Sequence, residues 1–307
     1  MGQLLFETGS YKDAYEVLNF CRHVMDENHP KYTSTLWGLL ASTVLVPAWG
    51  AAEEALDQIR TNVTFDIADE DSTASPQDVT VRTRNWMLHW SLFVYFKGGE
   101  SNSGKFLDVV FDTALRFHSR EYNNLHTVET VSPHLLRYVV AACLMNRSKR
   151  SSLFHALKIV RVCALDYSDA LTQFLEVLIG QANFDEAFAQ LSKVEEVIKN
   201  DYFLSGIKQQ IMDGALKLAY EFYIRTHKEV SIEQVASRLY PDEASNPATK
   251  ADANAKSEMW IANLIRDAKV VAKIDSVGGK VDVYSNAVSV HQRIVDRMNQ
   301  IPRPMMH

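Results

Sequence analysis

The sequence predicts a mainly α chain, a right-handed helical-repeat solenoid of the TPR/HEAT kind followed by a winged helix. Three observations carry that expectation. A short pattern recurs, an aromatic residue, an alanine one turn on and a leucine a further turn on: Tyr11, Ala14, Leu18; Trp49, Ala52, Leu56; Phe184, Ala187, Leu191. Residues 230–284 change from helical spacing to strict alternation, reading as helix, helix, β-hairpin. Only 12 Gly and 8 Pro interrupt 307 residues, which suits long helices with short connections.

Along the first two-thirds, a small residue between an aromatic wedge and a leucine lets neighbouring helices approach closely, as in stacked helical repeats. The run 32–52 carries no charge and is long enough to raise the question of a membrane span. It contains Thr33, Ser34, Thr35, Ser42, Thr43 and Pro47, so a helix buried on most sides is expected instead. Residues 85–96 (NWMLHWSLFVYF) are apolar almost all round and are expected deep in the solenoid. Further helices are expected at 105–117, at 133–145 with Pro133 in the first turn, and at 153–165, 170–180 and 185–199. In 207–224, Ile207, Ile211, Ala215, Leu218 and Phe222 form one stripe leading into the winged helix. The segments 62–80, 97–104 and 241–255 are polar and read as loops.

In the winged helix, Ser231 and Gln234 have capping-box spacing, and Ser257 is the expected cap of the second helix, whose apolar residues include Trp260, Ile261, Leu264 and Ile265. Val271, Lys273 and Asp275 then alternate with Ala272, Ile274 and Ser276, and Gly278-Gly279 supplies the positive φ angles of a tight turn. The domains expected are a solenoid over 1–225, a winged helix over 226–285 with an insert at 241–255, and a C-terminal helix and tail over 286–307. Strand residues Lys280, Val281, Val283 and Tyr284 are the candidate open edge for a partner strand, with Ile294, Val295 and Met298 as the candidate interface of the last helix. A winged helix can read duplex DNA, but residues 230–300 hold nine basic and nine acidic side chains, leaving no phosphate-neutralising footprint. Direct duplex DNA binding is therefore not expected. Arg266, Lys269 and Lys273 remain candidates for a weak RNA contact.

The chain-wide balance of −6 disfavours non-specific attachment to nucleic acid or anionic membranes. Cys21, Cys143 and Cys163 are far apart and odd in number, which points to a reducing, cytoplasmic setting, a nuclear fraction included, rather than to disulfides. Gly99 to Lys105 matches G-x-x-x-x-G-K, but Phe106 stands where the magnesium-binding Ser or Thr belongs, and an apolar helix precedes it where a strand is needed. The histidines show no metal-ligand spacing. His89 and His134 read as structural, and no nucleophile stands beside an oriented base. Neither an enzyme nor a cofactor is expected.

Six stretches then carry a resemblance: LWGLLAS (36–42), HWSLFV (89–94), PHLLRY (133–138), NDYFL (200–204), WIANLIRDAKVVAKIDS (260–276) and SNAVS (285–289). In this order, on a solenoid running into a winged helix, they resemble the PCI domain, which builds scaffolds of the proteasome lid, the COP9 signalosome and eukaryotic translation initiation factor three. The similarity is to the initiation-factor branch. It implies a non-catalytic scaffold docking to sister PCI subunits and, through the assembly, to the small ribosomal subunit, with further helices N-terminal to this sequence. A lid or signalosome component is the alternative, and a PCI nucleic-acid adaptor is a second one.

Overall fold

The computed structural model describes residues 1–27, 29–62, 76–98, 102–111, 124–240 and 250–284. The chain divides into two compact units, Met1–Ala215 and Leu216–His307. In the first, α1 (Gly2–Glu7), α2 (Tyr11–Val24), α3 (Tyr32–Leu45), α4 (Trp49–Asn62) and α5 (Pro76–Lys97) pack each on the next. α6 (Ser103–Phe111) and α7 (Asn124–Thr130) both lie on α5. α8 (Leu136–Met145) follows a 3₁₀ turn at Pro133–Leu135, and it packs on α6, α9 (Arg150–Val162) and α10 (Ala170–Leu175). A π-helical turn, Glu176–Gly180, extends α10, and α11 (Phe184–Asn200) packs against both. Successive contact along the chain, with α8 also reaching two helices in either direction, is the layout of a helical solenoid.

The recurring pattern has a structural meaning. Tyr11, Trp49 and Phe184 are each the first residue of their helix, and Ala14, Ala52 and Ala187 are fully buried one turn later. The small buried alanine leaves room for a neighbour to pack closely. In α3 the buried Ser42 and Thr43 hydroxyls donate to Gly38 O and Leu40 O, both at 2.8 Å, so a polar pair sits in a core helix without an orphan donor. Among the described residues no helix is long and apolar enough to cross a membrane.

Three expectations are corrected here. α5 begins at Pro76, inside the segment read as a loop, because proline fits the first helical position at no hydrogen-bond cost. Nor is α5 buried all round: Met87, Leu88, Ser91, Leu92 and Tyr95 are, but Trp86 is 56% exposed. Hydropathy alone does not separate an aromatic surface stripe from a core stripe. The helix expected from Ser257 begins at Lys250, since Ala251, Ala253 and Ala255 are strong helix formers. Ser257 is then an interior, buried residue and not a cap.

The division between the units falls within α12 (Lys208–Thr226). The second unit continues with β1 (Glu229–Ser231), α13 (Ile232–Leu239), α14 (Lys250–Ala268), β2 (Ala272–Asp275) and β3 (Lys280–Val283). The strands form an antiparallel sheet in the order β1-β3-β2, which with α13 and α14 makes the expected winged helix. β1 is too short for alternation to reveal it. It also displaces the expected capping box: Ser231 holds the N-cap position without a side-chain bond, and the Ile232 N–H instead donates to Gly279 O at 2.9 Å. In the turn only Gly279 has positive φ (62°), while the Asp275 carboxylate accepts from the N–H groups of Val277 (3.1 Å) and Gly278 (3.0 Å). Tyr220 packs edge-on to Trp260 at 5.2 Å, and Ile224, Val230, Val235, Ile261, Leu264 and Val281 are buried with Tyr220. The Arg225 guanidinium donates to Ala268 O at 2.7 Å, satisfying a carbonyl at the end of α14. The helix expected at 286–300 lies outside the described residues.

Within the first unit, α12 touches the end of α8 so closely that a Cβ on Gly214 would lie 2.3 Å from the Leu144 carbonyl oxygen. The atom met is rigid backbone, so Gly214→Ala costs about 3 kcal/mol through overpacking and leaves a net loss of about 2 kcal/mol after a helix-propensity gain of about 1 kcal/mol. Urea denaturation of the two proteins measures the difference, and an unchanged or raised midpoint contradicts this packing.

Candidate interaction surface

The winged-helix sheet places the candidate edge residues differently from the sequence expectation. β3 is the central strand, paired to β1 through Glu229↔Asp282, Val230↔Val281 and Ser231↔Lys280, and to β2 through Ala272↔Val283, Lys273↔Asp282, Ile274↔Val281 and Asp275↔Lys280. The expected edge at 280–284 is thus corrected, because β1 covers the side taken to be open. Val281 is fully buried, Val283 is half-buried, Lys280 reaches Glu229 at 3.5 Å, and Tyr284 is exposed beyond the strand. Ile294, Val295 and Met298 lie outside the described residues.

The hairpin's outer strand is β2. The Tyr284 N–H donates to Val271 O at 2.9 Å, so these two residues face each other as a hydrogen-bonded pair. Antiparallel ladders alternate bonded and non-bonded pairs, so the backbone of Lys273 and Asp275 points at β3, and that of Ala272 and Ile274 points away from it. The Ala272 and Ile274 N–H and C=O groups form the edge that another strand can extend.

Arg266, Lys269 and Lys273 are all exposed and gather where α14 gives way to β2. They do not make a basic field. Lys273 stands opposite Asp282 across the ladder, Asp267 adjoins Arg266, and Arg266 donates to Asn263 Oδ1 at 2.9 Å. Lys269 takes the left-handed conformation (φ 52°) that ends α14. The exposed face of α14 carries Asp252, Lys256, Met259, Asn263 and Asp267 together, a mixed surface unlike a phosphate-tracking helix. In the first unit, Lys105 of the phosphate-loop-like stretch lies on α6 and pairs with Glu53 at 2.5 Å, behind a helix instead of a strand. Burial pushes the Cys143 thiol up to about 12, far from thiolate reactivity.

A polar joint in the solenoid unites two of the six stretches. Arg137 Nε donates to Asp169 Oδ2 at 2.8 Å and its Nη1 to Asp201 Oδ2 at 3.0 Å, while the Tyr138 hydroxyl donates to Asp201 Oδ2 at 3.1 Å. Asp201 Oδ1 accepts from the N–H groups of Phe203 (2.9 Å) and Leu204 (3.1 Å). Burial by itself would lower the Arg137 pKa, but its bonds to Asp201 and Asp169 outweigh burial and raise it. Spacing could not have found this joint, since its partners are 32 and 64 residues apart.

Next to it, His89 Nδ1 sits 2.7 Å from Asn85 O and its Nε2 sits 2.8 Å from His134 Nε2. His89, read as structural, does bond a backbone carbonyl, and its ring is half-exposed. One nitrogen of the facing pair must be unprotonated to accept. Burial, then His89 and Arg137, lower the His134 pKa.

A helical solenoid joined to a winged helix with this sheet order defines a class. The PCI domain family matches residues 188–285, from within α11 to the end of the hairpin. Within that class its similarity runs to the E subunit of eukaryotic translation initiation factor 3. It is 34% identical to the Bombyx mori protein of that name over 298 residues, covering 96% of this chain and 61% of that protein. Identity to the Anopheles gambiae protein is 32% over 98% of this chain and 63% of the relative, and to the Drosophila ananassae protein 30% over 100% and 64%. The resemblance drawn from six stretches therefore extends over nearly the whole sequence. The chain spans about three-fifths of the length of these relatives.

Two outcomes follow from the joint and the histidine pair. Arg137→Met leaves Asp169 and Asp201 without their cation and costs about 3 kcal/mol, at the low end for a broken buried pair because Arg137 keeps some solvent contact; chemical denaturation measures it. For His134, the unfolded chain takes up a proton near the ordinary value of 6.5 and the folded chain only at lower pH. The unfolded state thus binds more protons in that window, and stability falls as pH drops below 6.5. Melting temperatures at pH 7.5 and 5.5 should show a smaller loss in His134→Gln than in the parent, and equal losses would remove this residue from the pH response.

Proposed function

We propose that this protein is a non-catalytic scaffold component of a eukaryotic translation initiation factor three assembly, working in the cytoplasm. It docks to sister PCI subunits through its winged helix, and it supports recruitment of the small ribosomal subunit and mRNA through the complex. The observation that carries this reading is similarity along 96–100% of the chain to proteins that all bear the same initiation-factor name.

The docking element in this reading is β2. Its outward Ala272 and Ile274 backbone groups offer main-chain hydrogen bonds, and the exposed Lys273 side chain reports charge to the incoming strand. Lysine on an exposed edge also discourages unselective strand pairing.

Affinity purification of the chain from its own cells, followed by a sucrose gradient, tests the assembly. Sister initiation-factor subunits co-migrating with small ribosomal subunits are expected. Proteasome-lid or signalosome subunits would instead assign the same fold to a different complex. Ala272→Pro tests the edge, because it deletes an outward N–H without removing a bond to β3. Recovery of a sister PCI protein should drop about tenfold, the loss of roughly 1.4 kcal/mol, while the folded fraction by circular dichroism stays unchanged. Undiminished recovery would exclude β2 as the docking strand.

A further inference from the structure

Two cavities open on α5, in the first unit. One, of about 380 Å³, is lined by Trp37, Arg82, Thr83, Trp86 and Trp90. The other, of about 520 Å³, is lined by Asn85, Trp86, His89, Trp90 and Phe93. They share Trp86 and Trp90, which therefore form a ridge between two apolar hollows. Trp86, one turn before Trp90, is more than half exposed. With Trp37, Trp90 and Phe93 half-buried beside it, the exposed Trp86 heads an aromatic face of the kind that soluble proteins keep for a ligand or partner.

Among the described residues, Arg82 is the one charged side chain that lines either cavity, and Lys97 lies beyond them on the same helix. Arg82 lies at one end, exposed and without an ion pair among the described residues. Lys97 lies fifteen residues further along the same helix, about 22 Å away at the rise of an α-helix. Its ammonium rests over the Tyr202 ring at 4.2 Å, not on a carboxylate. No carboxylate lines either cavity among the described residues. We infer that the Trp86–Trp90 ridge and its two flanking hollows form a docking groove for a linear, acidic segment of a partner protein, which seats one apolar side chain on each side of the ridge and sets its carboxylates toward Arg82 and Lys97.

A peptide fits better than single-stranded RNA, the other partner that aromatic platforms attract. Base stacking needs flat ring faces along a basic track. Here Trp90 and Phe93 meet at 39°, and they wall a hollow with room for a large apolar side chain. Two cations at the ends of a groove suit two local carboxylates, whereas a phosphate at every nucleotide calls for a continuous row. An extended segment of about seven residues covers the span, which leaves room for two anchors and acidic flanks.

The test uses the full chain and four probes: fluorescein-labelled twelve-residue peptides with two leucines three positions apart and acidic, uncharged or basic flanks, and a twelve-nucleotide oligouridylate. Acidic peptides should bind and shift the tryptophan emission to shorter wavelength. Trp86→Ala should weaken that binding by about tenfold or more, equivalent to about 1.4 kcal/mol. Its side chain is largely in solvent, and circular dichroism checks that the fold is kept. Arg82→Glu with Lys97→Glu, both on the surface, should reverse the preference toward basic flanks. Equal binding of acidic and basic peptides, or no binding of any peptide below about 1 mM, overturns the proposal. So does oligouridylate binding lost in Trp86→Ala with the peptides silent, which would assign the groove to RNA.

Discussion

The Arg137 guanidinium is the constraint on which most of the solenoid's second half depends. One planar cation spans two carboxylates, Asp169 before α10 and Asp201 after α11, and so fixes both to α8. Three helices that merely packed by apolar contact could slide past one another, because hydrophobic burial is non-directional. A bidentate guanidinium cannot tolerate that sliding, since each of its bonds has a required direction. The bond set is also complete on the far side. Asp169 belongs to the capping box of α10 with Thr172, and Asp201 takes the amides of Phe203 and Leu204. The joint therefore sets where α10 starts and how the chain turns after α11.

That turn reaches the surface. With Asp201 holding its amide, the Phe203 ring stands edge-on to Tyr138 at 5.7 Å and to Phe93 of α5 at 4.9 Å. Tyr202 is left outward beneath Lys97. A buried ion pair thus positions an exposed aromatic face two helices away, through rings whose edge-to-face geometry is itself directional. Buried ion pairs are often neutral in stability against an apolar substitute. What this one supplies is a fixed arrangement, and a binding face has more need of arrangement than of stability.

Much of this was legible in the sequence, and the misses have physical causes. The helices with a one-sided apolar stripe, such as α9 and α11, lie close to where the sequence put them. The hairpin was readable from its alternation and glycines. β1 was not, because three residues cannot show a period of two, and its absence from the reading turned the central strand into a supposed edge. The start of α14 was hidden by a polar, alanine-bearing segment that resembles a loop by composition and a helix by propensity. α5 was misjudged for the opposite reason. Its aromatic residues count as apolar wherever they point, so only the packing of α4, α6 and α7 on the other sides reveals that Trp86 is left in water. The polar joint gave no local signal at all, beyond the fact that PHLLRY and NDYFL each hold one end of it.

The two candidate surfaces work by different physics, and that difference bears on what the proposed scaffold role would require. Along β2 the attraction comes from backbone groups that every strand possesses, so the edge supplies strength and direction but little discrimination, and side chains such as Lys273 have to set the register. At the α5 ridge the backbone is fully engaged in its helix, and recognition rests on ring shape, hollow size and the sign of two end charges. A partner that fits there is chosen by side chains. Generic strand addition suits joining proteins that share one fold, whereas a shaped aromatic groove suits capture of a segment that has no fold of its own. Each unit of the chain carries one of these devices. A protein built only to fill space in an assembly would need the first and would bury the second, as soluble proteins do with rings that have no partner.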